Sequence, residues 1–190
     1  MREVAAGVAE RLGFALVEEE IVFRAAAQLG VEPQVVADAE KRRSFMERAL
    51  SALSTPEMAG LGGFGAPDAV HLDDDVRGLI RTAIEEAAER GSAVIVAHAA
   101  SHALETRPDV LRVLVTASPS IRRARVASEQ NLNEKDAARA VDQSDAARAD
   151  YLKLFYGAKS ELPTHYDLVV NTDKLSPGQA VSVITRAAGA

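Results

Sequence analysis

Residues 92–126, SAVIVAHAASHALETRPDVLRVLVTASPSIRRARV, constrain the fold more than any other stretch. Two β-rich apolar runs, 93–96 and 110–115, flank a short turn-and-helix segment. Runs that are continuously apolar, without alternation, belong to strands buried on both faces, as in a parallel sheet covered by helices. The second run passes through Thr116-Ala117-Ser118-Pro119 into a predicted helix carrying Arg122, Arg123 and Arg125. Folds of this kind bind their ligands just past the C-terminal ends of the strands. Guanidinium forks match phosphate oxygens, so an arginine row at that place points to an anionic ligand, most simply phosphate.

The rest of the chain reads as alternating helices and strands. Residues 2–12 form a helix with Val4, Val8 and Leu12 on one face, ended by Gly13. A short strand over 14–17 and a helix over 18–29 follow. Pro33 opens a polar helix reaching about residue 53. Residues 54–71 hold Gly60, Gly62, Gly63, Gly65, Pro56 and Pro67, which predicts a mobile loop. In the helix expected over 73–90, the acidic residues 73–75 suit the positive N-terminus, and Val76, Leu79, Ile80, Ala83 and Ile84 make the buried stripe. A long helix is expected over 134–155, a strand over 166–170 closed by Asn171-Thr172-Asp173, and a last helix from Ser176-Pro177 to about 186. The order predicts an α/β domain spanning all 190 residues.

Composition excludes several function classes. With no cysteine there are no disulfides, no thiol nucleophile and no cysteine-ligated zinc. The net charge of −6 and the 4% aromatic content argue against a nucleic-acid partner. No run approaches the roughly 20 apolar residues of a membrane span, and the N-terminus has no apolar signal core. The chain is therefore read as cytoplasmic, with no membrane partner. His98 and His102 are spaced to chelate a metal on one helix face, but no third ligand accompanies them, so no metal site is assigned. A surface or supporting role is the reading for both.

Four segments together resemble the cytidylate kinase-like family of P-loop nucleoside monophosphate kinases. ALVEEEIVFRA, residues 15–25, resembles the segment in which an aspartate follows a strand and a Tyr-Arg pair opens the nucleotide-binding helices. Here Glu18 takes the aspartate place and Phe23-Arg24 the Tyr-Arg place. VLRVLVTASPSIRRARV resembles the strand and arginine-bearing helix that lead into the lid. DAARADY, residues 145–151, resembles the Asp-x-x-Arg lid motif, and YDLVVNTDKLSP, residues 166–177, the last strand and its turn. The resemblance implies a P-loop NTPase-like parallel sheet flanked by helices. It places a helical monophosphate-binding insertion at about 31–72 and a lid at about 118–163.

It also implies ATP-dependent phosphoryl transfer to a nucleoside monophosphate of the CMP/dCMP class, with Mg²⁺. Nucleoside mono- and triphosphates are then the partners. Arg122, Arg125 and Arg148 would face the lid and the transferring group, and Asp145 would orient them. Arg24 would hold the acceptor phosphate, with Glu18 and His98 also on the substrate side and Arg2 on the ATP side. From the residues alone, Glu18 reads equally as a helix-start charge. Arg123 reads as a solvated charge, and Arg148 with Asp145 also reads as an i, i+3 surface pair. Tyr151, Phe155 and Tyr156 are assigned to lid packing, and Asn171 and Asp173 to turn chemistry.

The sequence departs from the family pattern in three places. The family opens with a strand and a glycine-rich phosphate loop ending Gly-Gly-Arg-Glu, of which only Arg2 and Glu3 are matched. Without that loop there is no ring of backbone N–H groups for the β- and γ-phosphates, so weak or absent transfer is expected of the 190-residue chain. Ala97-His98 stands where the family has Gly-Arg, and Val141 where it has an arginine before the lid motif. The missing first strand belongs between those matching 93–96 and 110–115. Either these two strands close on each other or the natural chain extends upstream, and the second is the expectation. The rival reading is a nucleotide-sensing or protein-binding pseudokinase.

Overall fold

The structure, a computed structural model, describes residues 2–18, 21, 24, 67–96 and 99–189, the side chains of 67–76 and 154 excepted. His98 and the helix expected over 33–53 lie outside the described residues, as do all but the last residues of the expected 31–72 insertion. Two compact units are formed, one of Met1–Glu18 with Ile84–Ala190, the other of Glu19–Ala83.

In the first unit, α1 (Arg2–Leu12) leads through the left-handed Gly13 into β1 (Ala15–Val17). After β2 (Ala93–Ile95) comes the single-turn α3 (Ala100–Ala103), then β3 (Val113–Thr116) and α4 (Pro119–Gln130). The long α5 (Glu134–Tyr156), a 3-10 turn (Pro163–His165), β4 (Leu168–Asn171) and α6 (Pro177–Ala187) complete it. The helix α2 (Pro67–Glu89) runs across the division between the units. It starts earlier than its acidic run predicted, and residues 54–66 of the expected loop lie outside the described residues. Pro67 explains the early start: its fixed φ suits a first helical turn, and no intrahelical N–H is lost there. Ile80, Ala83, Ile84 and Ala87 are its buried residues, at the predicted helical spacing. In the second unit Ile21 is fully buried and Arg24 half-buried, both helical.

All pairing among the described strands is parallel. β1 pairs with β2, Ala15 opposite Ala93, and β3 with β4, Val113 opposite Leu168. These are two separate two-stranded sheets, so β2 and β3 do not close on each other. Both sheets nevertheless share one core. Val4 and Val8 of α1, Val170 of β4, and Ala180, Val181 and Ile184 of α6 are buried together, with Val94, Val113, Val115 and Leu168 packed against them. Each fully buried valine or isoleucine contributes about 1.5–3 kcal/mol.

Two local devices hold this arrangement. Gly7 lets α1 lie close on α6: a Cβ there would stand 2.8 Å from Val181 Cγ2. Nearby, Arg11 Nη1 donates to Ser182 Oγ at 3.2 Å. At the start of the second sheet the Asp167 carboxylate accepts from the Arg112 backbone N–H at 2.9 Å, and from Arg112 Nε and Nη2 at 3.1 and 2.8 Å. Those bonds fix the register and hold the Asp167 carboxyl down at about 2. They also explain why the apolar run from 110 becomes a strand only at Val113, because the Arg112 backbone is engaged with Asp167 and Leu168 before the ladder begins. Likewise β4 starts at Leu168, after the 3-10 turn, and not at 166. Among the described residues no helix is long and apolar enough to cross a membrane.

Candidate functional site

The C-terminal ends of β3 and β4 form the floor of the candidate site. The Thr172 N–H and hydroxyl both donate to the Thr116 carbonyl, at 2.8 and 2.9 Å, extending the ladder one step past β4. Asn171 Oδ1 accepts from the Asp173 N–H at 2.8 Å, which is the turn chemistry expected there. That turn presents the Asp173 carboxylate to the Ser118 N–H at 2.6 Å. Ser118 is the N-cap of α4, and its own side chain makes no cap bond. Asp173 therefore sets its negative charge at the positive end of the arginine helix.

Arg125 secures the same helix from within. Its Nη1 donates to Thr172 Oγ1 at 3.0 Å and its Nη2 to the Thr172 carbonyl at 2.6 Å. The sequence placed Arg125 beside Arg122 and Arg148 at a reacting group. In this structure its guanidinium instead bolts α4 to the end of β4.

Arg122 faces α5. Its Nη1 and Nη2 donate to the two oxygens of Asp145 at 2.5 and 2.6 Å, and Arg123 Nη2 donates to Asp142 at 2.9 Å. The pair holds the Asp145 carboxyl below its ordinary value, chiefly through the hydrogen bonds and against a burial penalty. Arg122 Nε is buried and has no hydrogen-bond partner, while Nη1 and Nη2 each hold one Asp145 oxygen. Arg123, read as a solvated charge, is the second rung of this ladder.

Arg148 turns away from Asp145, so the i, i+3 pair is not formed. Its Nε and Nη2 donate to the Glu161 carboxylate at 2.7 and 2.5 Å, and Nη2 also reaches the Tyr166 hydroxyl at 3.3 Å. Tyr166 in turn donates to Glu161. Burial pushes the Glu161 carboxyl up, but the bonds from Arg148 and Tyr166 outweigh it and leave it below the ordinary value. A cleft of about 220 Å³ adjoins the pair, lined by Asp145, Arg148, Leu152, Lys159 and Glu161 among others.

Rings pack beside this pair. Tyr151 stacks on Phe155 at 4.2 Å, and Tyr156 stacks on His102 at 5.3 Å. His165 meets the His102 ring edge-on at 5.1 Å. His102 is thus a packing residue and not a surface one, its Nε2 buried without a hydrogen bond. Burial, then His165, lowers its pKa from 6.5. Neither Glu161 nor this histidine pair was found by sequence reasoning.

The other predicted residues lie at the start of α1, just past β1 and in the second unit. Arg2 Nε stands 3.0 Å from Glu18, so the residues assigned to the ATP side and the substrate side face each other. Arg24 belongs to the second unit. Val141, at the family's arginine position, is buried on α5 with only 4% of its surface exposed. Among the described residues no group of three or more His, Asp or Glu is gathered as a metal site. Asp145 and Glu161 are each committed to an arginine, so these residues offer no ready cage for Mg²⁺.

The family model described as the cytidylate kinase-like family matches residues 1–174. No curated protein matches the chain. Among solved structures, an uncharacterized protein from Eubacterium ventriosum is similar in fold, with a TM-score of 0.66 and 17% sequence identity, over 98% of this chain and 89% of that one.

Proposed function

This chain belongs to the cytidylate kinase-like family, and on that premise we propose that its fold serves ATP-dependent phosphoryl transfer to a nucleoside monophosphate of the CMP/dCMP class. The observation that carries the reading is the position of Arg122 and Arg148. Arg122 sits on α4, which starts just past the C-terminal end of β3, and Arg148 on α5, which packs on α4, each fork engaged by a carboxylate. A fork that holds a carboxylate at two points can hold two phosphate oxygens in the same way.

In the proposed reaction an oxygen of the acceptor monophosphate attacks the γ-phosphorus of ATP. The bond from that phosphorus to the bridging oxygen breaks, ADP leaves with the electron pair, and a nucleoside diphosphate is formed. Such transfer demands positioning and charge neutralisation more than covalent chemistry. In this reading Arg122, aimed by Asp145, and Arg148 neutralise the clustered phosphates, while Arg125 fixes α4 through Thr172. Arg24, with Glu18, serves the acceptor, His98 is a weaker clamp than the family's arginine, and Arg2 serves ATP. Mg²⁺ accompanies the triphosphate, held chiefly by its phosphates.

Because the 190 residues include no glycine-rich phosphate loop, slow or no transfer is expected of the chain by itself. The test measures ADP release and calorimetric binding with Mg-ATP and CMP, dCMP, UMP or AMP. The expected result is measurable CMP or dCMP binding with turnover far below the roughly 1–100 per second of ordinary kinases. Absence of monophosphate binding would overturn the reading, and tight Mg-dependent ATP binding with full turnover would overturn the expected weakness. The buried Val141 favours a second reading, a nucleotide-sensing pseudokinase, which predicts CMP binding with no ADP release at all.

A further inference from the structure

The Glu161 carboxylate lies on Arg148 in the geometry a phosphate would use. Two guanidinium nitrogens, Nε and Nη2, meet its two oxygens at 2.7 and 2.5 Å. Replacing the carboxylate carbon by phosphorus keeps that two-point arrangement. Glu161 reaches this position because α5 ends at Gly157, whose left-handed backbone (φ 64°) turns the chain back along the helix. The Tyr166 hydroxyl gives the carboxylate a further donor that does not depend on Arg148. Glu161 can therefore release the arginine and keep a hydrogen-bond partner. The adjoining cleft of about 220 Å³ carries a second cation, Lys159, on its wall. With Glu161 on Arg148 the cleft presents an internally neutralised pair. With Glu161 withdrawn it presents Arg148 and Lys159 together.

We propose that Glu161 is an internal competing anion: it occupies the Arg148 guanidinium until a phosphate dianion displaces it, and so weakens and filters anion binding at this arginine. The inference deepens the phosphoryl-transfer reading, resting on it only in that Arg148 meets a phosphate. A phosphate dianion brings more charge and a third oxygen to the fork, and it displaces the carboxylate where a monoanion does not. The site thereby resists chloride, acetate and other weak anions, and the cleft opens only to a ligand that exchanges for Glu161.

The experiment titrates inorganic pyrophosphate and CMP separately into wild type, Glu161→Gln, Arg148→Ala and the double variant. Binding is followed by calorimetry, and the Arg148 Nε–H and Glu161 carboxyl carbon by NMR. Glu161→Gln should bind pyrophosphate about two- to fivefold more tightly, the range expected for releasing a partly exposed charge pair. Arg148→Ala should bind it more weakly, and the double variant should behave as Arg148→Ala alone. In wild type, pyrophosphate should shift both NMR signals together, a readout that does not depend on whether Glu161→Gln folds. Unchanged or weaker binding by a folded Glu161→Gln overturns the proposal, as does a gain that persists without Arg148. A Glu161 signal that stays still at saturation, or no pyrophosphate binding by any variant, also overturns it. If pyrophosphate follows the expected pattern and CMP binds nowhere, Glu161 keeps its role and the nucleoside monophosphate reading fails. If CMP binds while Glu161 stays in place, the reverse holds.

Discussion

Arg122 and Asp145, 23 positions apart in sequence, close α4 against α5 through two parallel hydrogen bonds of 2.5 and 2.6 Å. The pair is partly exposed, the side chains 33% and 48% accessible, so its contribution is that of a screened surface bridge. A double-mutant cycle with Arg122→Ala and Asp145→Ala should give a coupling energy of about 0.5–1 kcal/mol in urea unfolding. The Asp145 carboxyl is held below its ordinary 3.8. The coupling is therefore complete above that pH and disappears as pH falls through the lowered value. A cycle that gives zero at neutral pH contradicts the pairing.

Arg24→Ala and Arg148→Ala are each expected to weaken CMP binding about tenfold, the loss of one charge-assisted contact worth about 1.5 kcal/mol. Calorimetric titration of both variants beside wild type checks this. Unchanged affinity in both removes the two arginines from the binding site.

Acid should loosen the packing around His102. Its ring packs against Tyr156 and His165 and feels the charges of Glu105, Glu161 and Arg148, and burial is the main cause of its lowered pKa. Because the unfolded chain takes up a proton near 6.5 and the folded chain only at lower pH, stability is complete above 6.5 and falls as pH drops below it. Melting temperatures measured between pH 7.5 and 5 should decline, and His102→Phe should flatten that decline. An unchanged slope in the variant assigns the acid sensitivity elsewhere.

Gly7→Ala tests how closely α1 lies on α6. The new methyl would meet Val181 Cγ2 at 2.8 Å, and overpacking of this kind costs about 1–3 kcal/mol. Better helix propensity returns about 1 kcal/mol of that. Net destabilisation is expected in urea melts, with recovery when Val181 is also changed to Ala. A stabilised single variant would mean that the helices yield to the methyl group.

Among the described residues, the helices α1, α2, α4, α5 and α6 and the parallel pairing were legible because their signals are local. Val4, Val8, Ile80 and Ile84 repeat at helical spacing, and the apolar strand runs are bounded by turn residues. Asp173 was legible as a turn residue, but its bond to Ser118 depends on how β4 meets α4. The partners of the arginines were not legible. Nothing in the spacing of Arg148 and Glu161 marks them as a pair, since they meet only after Gly157 turns the chain back. His102, Tyr156 and His165 come from three different elements, and no motif joins them. Arg125 was given a reacting role by the family resemblance, whereas in the structure its guanidinium meets Thr172.

The apposition of α1 and α6 bears on the order in which the molecule can be made. Arg11 and Ser182 are joined across 171 positions, and Val4 and Val8 find their core neighbours in Val170, Ala180, Val181 and Ile184. A chain emerging from the ribosome has α1 long before it has the surface that covers it. Contacts this distant in sequence form late, and until then Val4 and Val8 are a sticky stripe open to chaperones or to other nascent chains. A ribosome-stalled intermediate ending before β4 should therefore be digested readily by protease at α1, and release of the finished chain should protect it.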